Sequence, residues 1–131
     1  MREIIRVPGV SDVTEAVGAP LSAATKGAGL VFVSGMPPID AKEHKIPAGL
    51  NVAEQTRICM ENVKASLEAA GSSLDKVLKV TIYATNSATY GTINKVYASF
   101  FKDGKYPART FVAVASWPME FDVEIEAVAL G

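Results

Sequence analysis

Cysteine and histidine are nearly missing from this sequence: Cys59 and His44 are the only ones among 131 residues. One cysteine cannot close an intrachain disulfide, and one histidine beside one cysteine gives no set of soft ligands at zinc-binding spacing. The expectation is a cytoplasmic protein with no metal and no cofactor. Excess charge is missing too. Thirteen basic residues lie scattered among fourteen acidic ones for a net charge of −1, which leaves no basic stripe for a nucleic-acid backbone or an anionic membrane. No stretch approaches the ~18 uninterrupted apolar residues of a membrane helix, and Met1 to Arg6 lacks the apolar core of a secretion signal. Also absent are a glycine-rich phosphate loop and a Ser-His-Asp set, so cofactor-free chemistry is the class that remains.

What is present is apolar and finely punctuated. Hydrophobic residues make up 49% of the chain and the mean hydropathy is +0.21, enough for one packed domain over residues 1–131. Arg2 to Val7 reads as a strand stopped by Pro8-Gly9. Leu21 to Lys26 and Leu30 to Ser34 read as a hairpin turning at Gly27-Ala28-Gly29, closed by Gly35-Met36-Pro37-Pro38. Asn51 as N-cap, Glu54 as its capping-box partner and apolar residues at helical spacing predict a helix over 51–70. Val77 to Ala84 alternates with period two, placing Leu78, Val80, Ile82 and Ala84 on one face. Ser87 caps a second helix whose aromatic stripe runs from Tyr90 to Phe101. Strands from Thr110 to Ser116 and from Asp122 to Leu130 complete a βββαβαββ order, an α+β layout.

Two helices cover one face of such a sheet. Apolar residues nevertheless fall on both faces, Val31 and Val33 against Leu30 and Phe32, and Phe111 and Ala113 against Val112 and Val114. The uncovered face is therefore expected to meet another copy of the chain, with clefts between copies.

The residues that point to chemistry lie in the last quarter. Arg109 follows Pro107-Ala108 at the start of a strand, and Glu124 alternates with Val123 and Ile125, away from the face they bury. A guanidinium fork suits a carboxylate ligand and a glutamate can handle protons. Each taken alone also fits a surface charge. Cys59 lies on the inward stripe of its helix and reads as a small core hydrophobe. Asn94 interrupts the apolar side of the second helix, and Gly35 permits a close backbone approach.

Taken in order, several segments resemble the RidA family of imine/enamine deaminases, also called YjgF or UK114. They are Val31-Phe32-Val33-Ser34-Gly35, Gln55, Asn62, Leu67-Glu68-Ala69-Ala70-Gly71, Val77-Leu78-Lys79-Val80-Thr81, Asn94, Tyr97, Phe100-Phe101, Pro107-Ala108-Arg109 and Val123-Glu124-Ile125-Glu126-Ala127. The resemblance implies a chorismate-mutase-like fold, a homotrimer whose sheets face an inner barrel, and sites between subunits. It also implies hydrolysis of 2-imino and 2-enamino acids to 2-oxo acids and ammonia, with Arg109 binding the carboxylate and Glu124 managing water. Gly35, Leu21, Met36, Asn94 and Phe111 would line the pocket. Three of these depart from the family pattern: Leu21 stands where a tyrosine is common, Met36 where glutamine is, and Phe111 where cysteine is. A more apolar pocket and a larger substrate, such as an aminomuconate-type intermediate, are the expectation. A non-catalytic small-acid-binding trimer is the alternative.

Overall fold

A computed structural model describes all 131 residues. The alternating segments pair into one six-stranded mixed sheet. In chain order the elements are β1 (Glu3–Ile5), α1 (Val10–Ala16), β2 (Ala24–Gly27), β3 (Leu30–Met36), α2 (Val52–Ala69), β4 (Val77–Ala84), α3 (Tyr90–Ala98), β5 (Ala108–Ala113) and β6 (Val123–Leu130). The strands lie in the order β1-β2-β3-β6-β4-β5. Only β4 and β5 run parallel, because α3 carries the chain back between them; the other pairs are antiparallel.

The long helix forms where its cap and stripe predict. Asn51 Oδ1 accepts the Glu54 N–H at 2.9 Å, without the reciprocal contact of a full capping box, and the stripe Cys59, Met60, Val63 and Leu67 is completely buried. These residues meet Val31, Val33, Val80, Ile82, Ile125, Ala127 and Ala129 in one core, each large side chain contributing roughly 1.5–3 kcal/mol on burial. Two helix amides fasten loops to this layer. Asn62 Nδ2 donates to the carbonyls of Pro37 and Ile39, and Gln55 exchanges hydrogen bonds with Asp122.

Several expectations need correction. There are three α-helices, not two: α1 forms where no helix was expected, although Val10, Val13 and Val17 stand at helical spacing between Gly9 and Gly18. β1 is confined to three residues, and β2 begins at Ala24, leaving Leu21 and Ser22 outside the hairpin. Leu78 is 48% exposed, because the register shifts between Val77 and Lys79 and Val77 takes its inward position. Ser87 does not cap α3: it opens a 3₁₀ turn, Ser87–Thr89, capped by Asn86, whose Oδ1 accepts the Ala88 N–H; α3 follows from Thr89 without a side-chain cap and ends at Ala98, before Phe100 and Phe101. β5 starts at Ala108 and stops at Ala113, earlier at both ends than expected.

The sheet is two-faced, as its strand patterns require. One face carries the core above. The opposite face leaves Ile4, Phe32, Val112 and Leu130 exposed, beside Glu124, Glu126 and Tyr83.

Candidate functional site

Register decides where Arg109 and Glu124 point. Arg109 pairs with Val80 and Phe111 with Ile82; Val80 and Ile82 are buried, so Arg109 and Phe111 stand on the helix-covered face. Glu124 pairs with Tyr83 and Glu126 with Thr81, which puts both carboxylates on the open face. Within one chain the arginine and the glutamate therefore occupy opposite sides of the sheet, and they are not partners.

Arg109 sits on the edge strand β5 beneath α3. Its guanidinium carbon lies 5.0 Å from the ring centre of Tyr97 and 5.5 Å from that of Tyr90, and the Tyr90 ring meets Phe111 edge-on at 5.0 Å. Two cation–π contacts hold the cation, each worth about 0.5–1 kcal/mol. Its N–H groups make no side-chain hydrogen bond or ion pair and remain free for an external acceptor. Arg109 lines a cleft of about 340 Å³ with Asn94, Tyr97, Ala98, Tyr106 and Pro107. Asn94 Oδ1 and the Tyr97 hydroxyl are buried here without a hydrogen-bond partner, a costly arrangement unless something else supplies one. Burial pushes the Tyr97 phenol up to about 12, against the opposing pull of Arg109. Tyr97 of α3 is a core residue and also clamps the arginine.

Glu124 belongs to a second cavity, of about 380 Å³, which Leu21, Gly35 and Met36 also line. The bulge in β3 between Val33 and Met36 turns Gly35 against the glutamate: a Cβ at Gly35 would overlap Glu124 Oε1. Glycine leaves room for the carboxylate in this position; a Cβ there would make the Glu124 side chain turn away. Burial, reinforced by the nearby Glu126, raises the Glu124 carboxyl above its ordinary range. Glu126 is itself occupied, accepting the Tyr83 hydroxyl at 2.5 Å, which pushes that phenol up to about 12. A half-buried carboxylate with a raised proton affinity and no hydrogen-bonding partner is suited to take a proton from water.

The expected site residues thus divide into two groups. Arg109, Asn94 and Phe111 gather under α3, while Leu21, Gly35, Met36 and Glu124 gather across the sheet. Met36 lines this cavity while packing into the core: it is 1% exposed, pairs with Ile125 and directs its sulfur toward Ser66 of α2. Cys59 is buried, and burial raises its thiol far above the reactive range. Tyr90 and Tyr106 beside Arg109, and Val13, Val17 and Met119 around the second cavity, were missed. Only the valine spacing could have signalled them. No group of three or more histidine, cysteine or acidic side chains converges as a metal site would need, and no helix is long and apolar enough to cross a membrane.

The sequence profile of the endoribonuclease L-PSP family matches residues 13–131. A RutC family protein of Pyrococcus horikoshii is 44% identical over 110 residues, 84% of this chain and 86% of that protein. Escherichia coli TdcF, named as a candidate reactive intermediate deaminase, is 41% identical over 103 residues, 77% of this chain and 78% of its own. A TdcF crystal structure with bound serine superposes with a TM-score of 0.83 over 98% of both chains. YyfA of Yersinia pestis, described as a Rid family protein of unknown function, superposes at 0.90 over the whole of both chains with 31% identity.

Proposed function

The chain belongs to the endoribonuclease L-PSP family, the YjgF/RidA group, and from that membership we propose that it is a hydrolytic deaminase of 2-imino and 2-enamino acids. One observation carries this reading. Arg109 is a fixed cation held between two tyrosine rings with its donors free, and Glu124 is a carboxylate whose burial raises its affinity for a proton.

The guanidinium fork binds the substrate carboxylate by two parallel hydrogen bonds and thereby fixes the adjacent C=N carbon. Glu124 removes a proton from water as its oxygen adds to that carbon. The carbinolamine then loses nitrogen as the C–N bond breaks, and the protons taken from water leave with it as ammonia while the C=O of the 2-oxo acid forms. Because the two residues face opposite sides of one sheet, they serve one substrate only if they come from different copies. The free edge of β5 and the exposed apolar face are the surfaces along which copies would join, as a homotrimer with sites between subunits. A mass in solution that stays monomeric at all concentrations would exclude this arrangement.

The first test supplies the imine directly. An amino acid oxidase generates the 2-imino acid, semicarbazide competes for it, and wild-type protein is expected to lower semicarbazone formation by speeding release of the 2-oxo acid. Equal trapping with and without protein, together with tight binding of a 2-oxo acid, would favour the non-catalytic reading instead.

The acid limb of the pH–rate profile offers an independent check. Glu124 acts as a carboxylate, so the rate should rise with pH through an apparent pKa above the usual glutamate range. Glu126→Gln removes the neighbouring charge that favours the protonated form, and the limb should move to lower pH. A limb that does not move would take Glu124 out of the proton-transfer role.

A further inference from the structure

Glu124 and Glu126 stand two residues apart on the open face of β6, and the strands on either side draw them apart. Toward β3, the absent Cβ of Gly35 leaves room for the Glu124 carboxylate. Toward β4, the Tyr83 hydroxyl donates to Glu126 Oε1 at 2.5 Å. Tyr83 lies directly opposite Glu124 in the register, and Glu126 is its diagonal neighbour. The phenol thus bypasses the carboxylate it faces and reaches the next one, a diagonal span of roughly 7–8 Å that an aromatic side chain covers. The other charged or titratable groups packed around this pair are turned elsewhere. Lys79, the one cation of β4, donates to Thr110 of β5, and Arg109 lies on the opposite face. β3 carries no titratable side chain, Asp122 is bound by Gln55 and Thr85, and Cys59 of α2 donates to the Val123 carbonyl. Of the two carboxylates, only Glu124 is left without a donor.

We propose that Tyr83 is a positioning residue: by binding Glu126 it keeps two neighbouring carboxylates from sharing a proton, and so leaves Glu124 as the one group able to take a proton from water. The role of Glu124 as base rests on the deaminase reading; the separation of the two carboxylates does not. Two carboxyl groups brought together hold one proton between them, which raises one of the pair strongly. Such a shared proton would occupy an oxygen of each group and remove the base. Tyr83 gives Glu126 a donor of its own, a phenol pushed up to about 12 that keeps its proton at neutral pH. Gly35 gives Glu124 a place to lie on the other side.

Tyr83→Phe removes the donor and keeps the ring. Carbon-13 NMR of the glutamate carboxyls, assigned with Glu124→Gln and Glu126→Gln, follows each side chain against pH whether or not any imine is hydrolysed. In the wild type Glu124 is expected to titrate in a single step. In Tyr83→Phe the two carboxyls should report the same two steps, the upper one lying above the wild-type Glu124 step by more than about one pH unit. A Glu124 titration that is unchanged or moves down in Tyr83→Phe overturns the inference, as do wild-type carboxyls that already share both steps.

Steady-state kinetics gives the second readout. The acid limb of kcat/KM should move to higher pH in Tyr83→Phe, lowering the rate at least about tenfold below the limb, whereas Glu126→Gln moves it down. In the Glu126→Gln background, where no second carboxylate remains, Tyr83→Phe should no longer raise it. A loss of rate with an unmoved limb in both backgrounds would give Tyr83 a merely structural role and refute the inference. The shared titration in Tyr83→Phe, found in a protein that turns over no imine, would uphold the separation of the carboxylates and remove the deaminase reading.

Discussion

Arg109→Ala is expected to lower kcat/KM for imine hydrolysis at least about 100-fold. Two hydrogen bonds from a charged group are lost, each worth about 1.5–3 kcal/mol, and every 1.4 kcal/mol is a factor of ten. The fixed position of the reacting carbon is lost with them. Arg109→Lys retains the charge but not the planar fork, and should recover only a small part of the rate. The fold should survive both changes, because the side chain is held by cation–π contacts to Tyr90 and Tyr97 rather than by a buried ion pair. Steady-state kinetics with thermal unfolding of the same samples is the measurement. A variant that folds and clears imine as fast as wild type would refute the role of Arg109.

Glu124→Gln is expected to cost about 10²–10⁴ in rate, the range of a positioned general base, while making the protein more stable at neutral pH. The sign follows from the raised carboxyl. A group whose pKa is higher folded than unfolded stabilises the fold while it is protonated. That contribution is complete below the unfolded pKa and is lost as pH rises through the folded one. At neutral pH the ionised glutamate is therefore a net cost, kept modest by partial exposure to water, and neutral glutamine removes it. The gain in Tm should fade toward acid pH.

The two variants together test the subunit arrangement. If Arg109 and Glu124 serve one site from different copies, refolding an equal mixture of the two inactive variants restores about a quarter of the sites, by random pairing around a closed ring. No recovery from a mixture shown to exchange subunits would mean that Arg109 and Glu124 do not serve one site from different copies.

Legibility varied along the chain for identifiable reasons. The helix over 51–70 carries a cap, a stripe and a stop that agree with one another, and β6 alternates cleanly over eight residues. Between Gly9 and Gly18 the short α1 segment carries only three valines, too little to stand out from a loop. The outward turn of Leu78 follows from a register shift that two strands make together. Gly35 lies against Glu124, 89 positions away in sequence, and no local pattern signals such a contact.

By itself the sequence determined the family, the α+β class, the principal helix and strands, and the choice of Arg109 and Glu124 as the charged groups worth following. It did so because periodicity, caps and motif order are local properties of the chain. Which side of the sheet each charged group occupies was decided only by the tertiary structure. β5 carries apolar residues at both alternating positions, Phe111 and Ala113 on one side and Val112 on the other, so its pattern does not choose a face. Pairing with β4 makes that choice, placing Arg109 with buried Val80 under α3, while pairing of β6 with the same strand sends Glu124 to the open face with Tyr83.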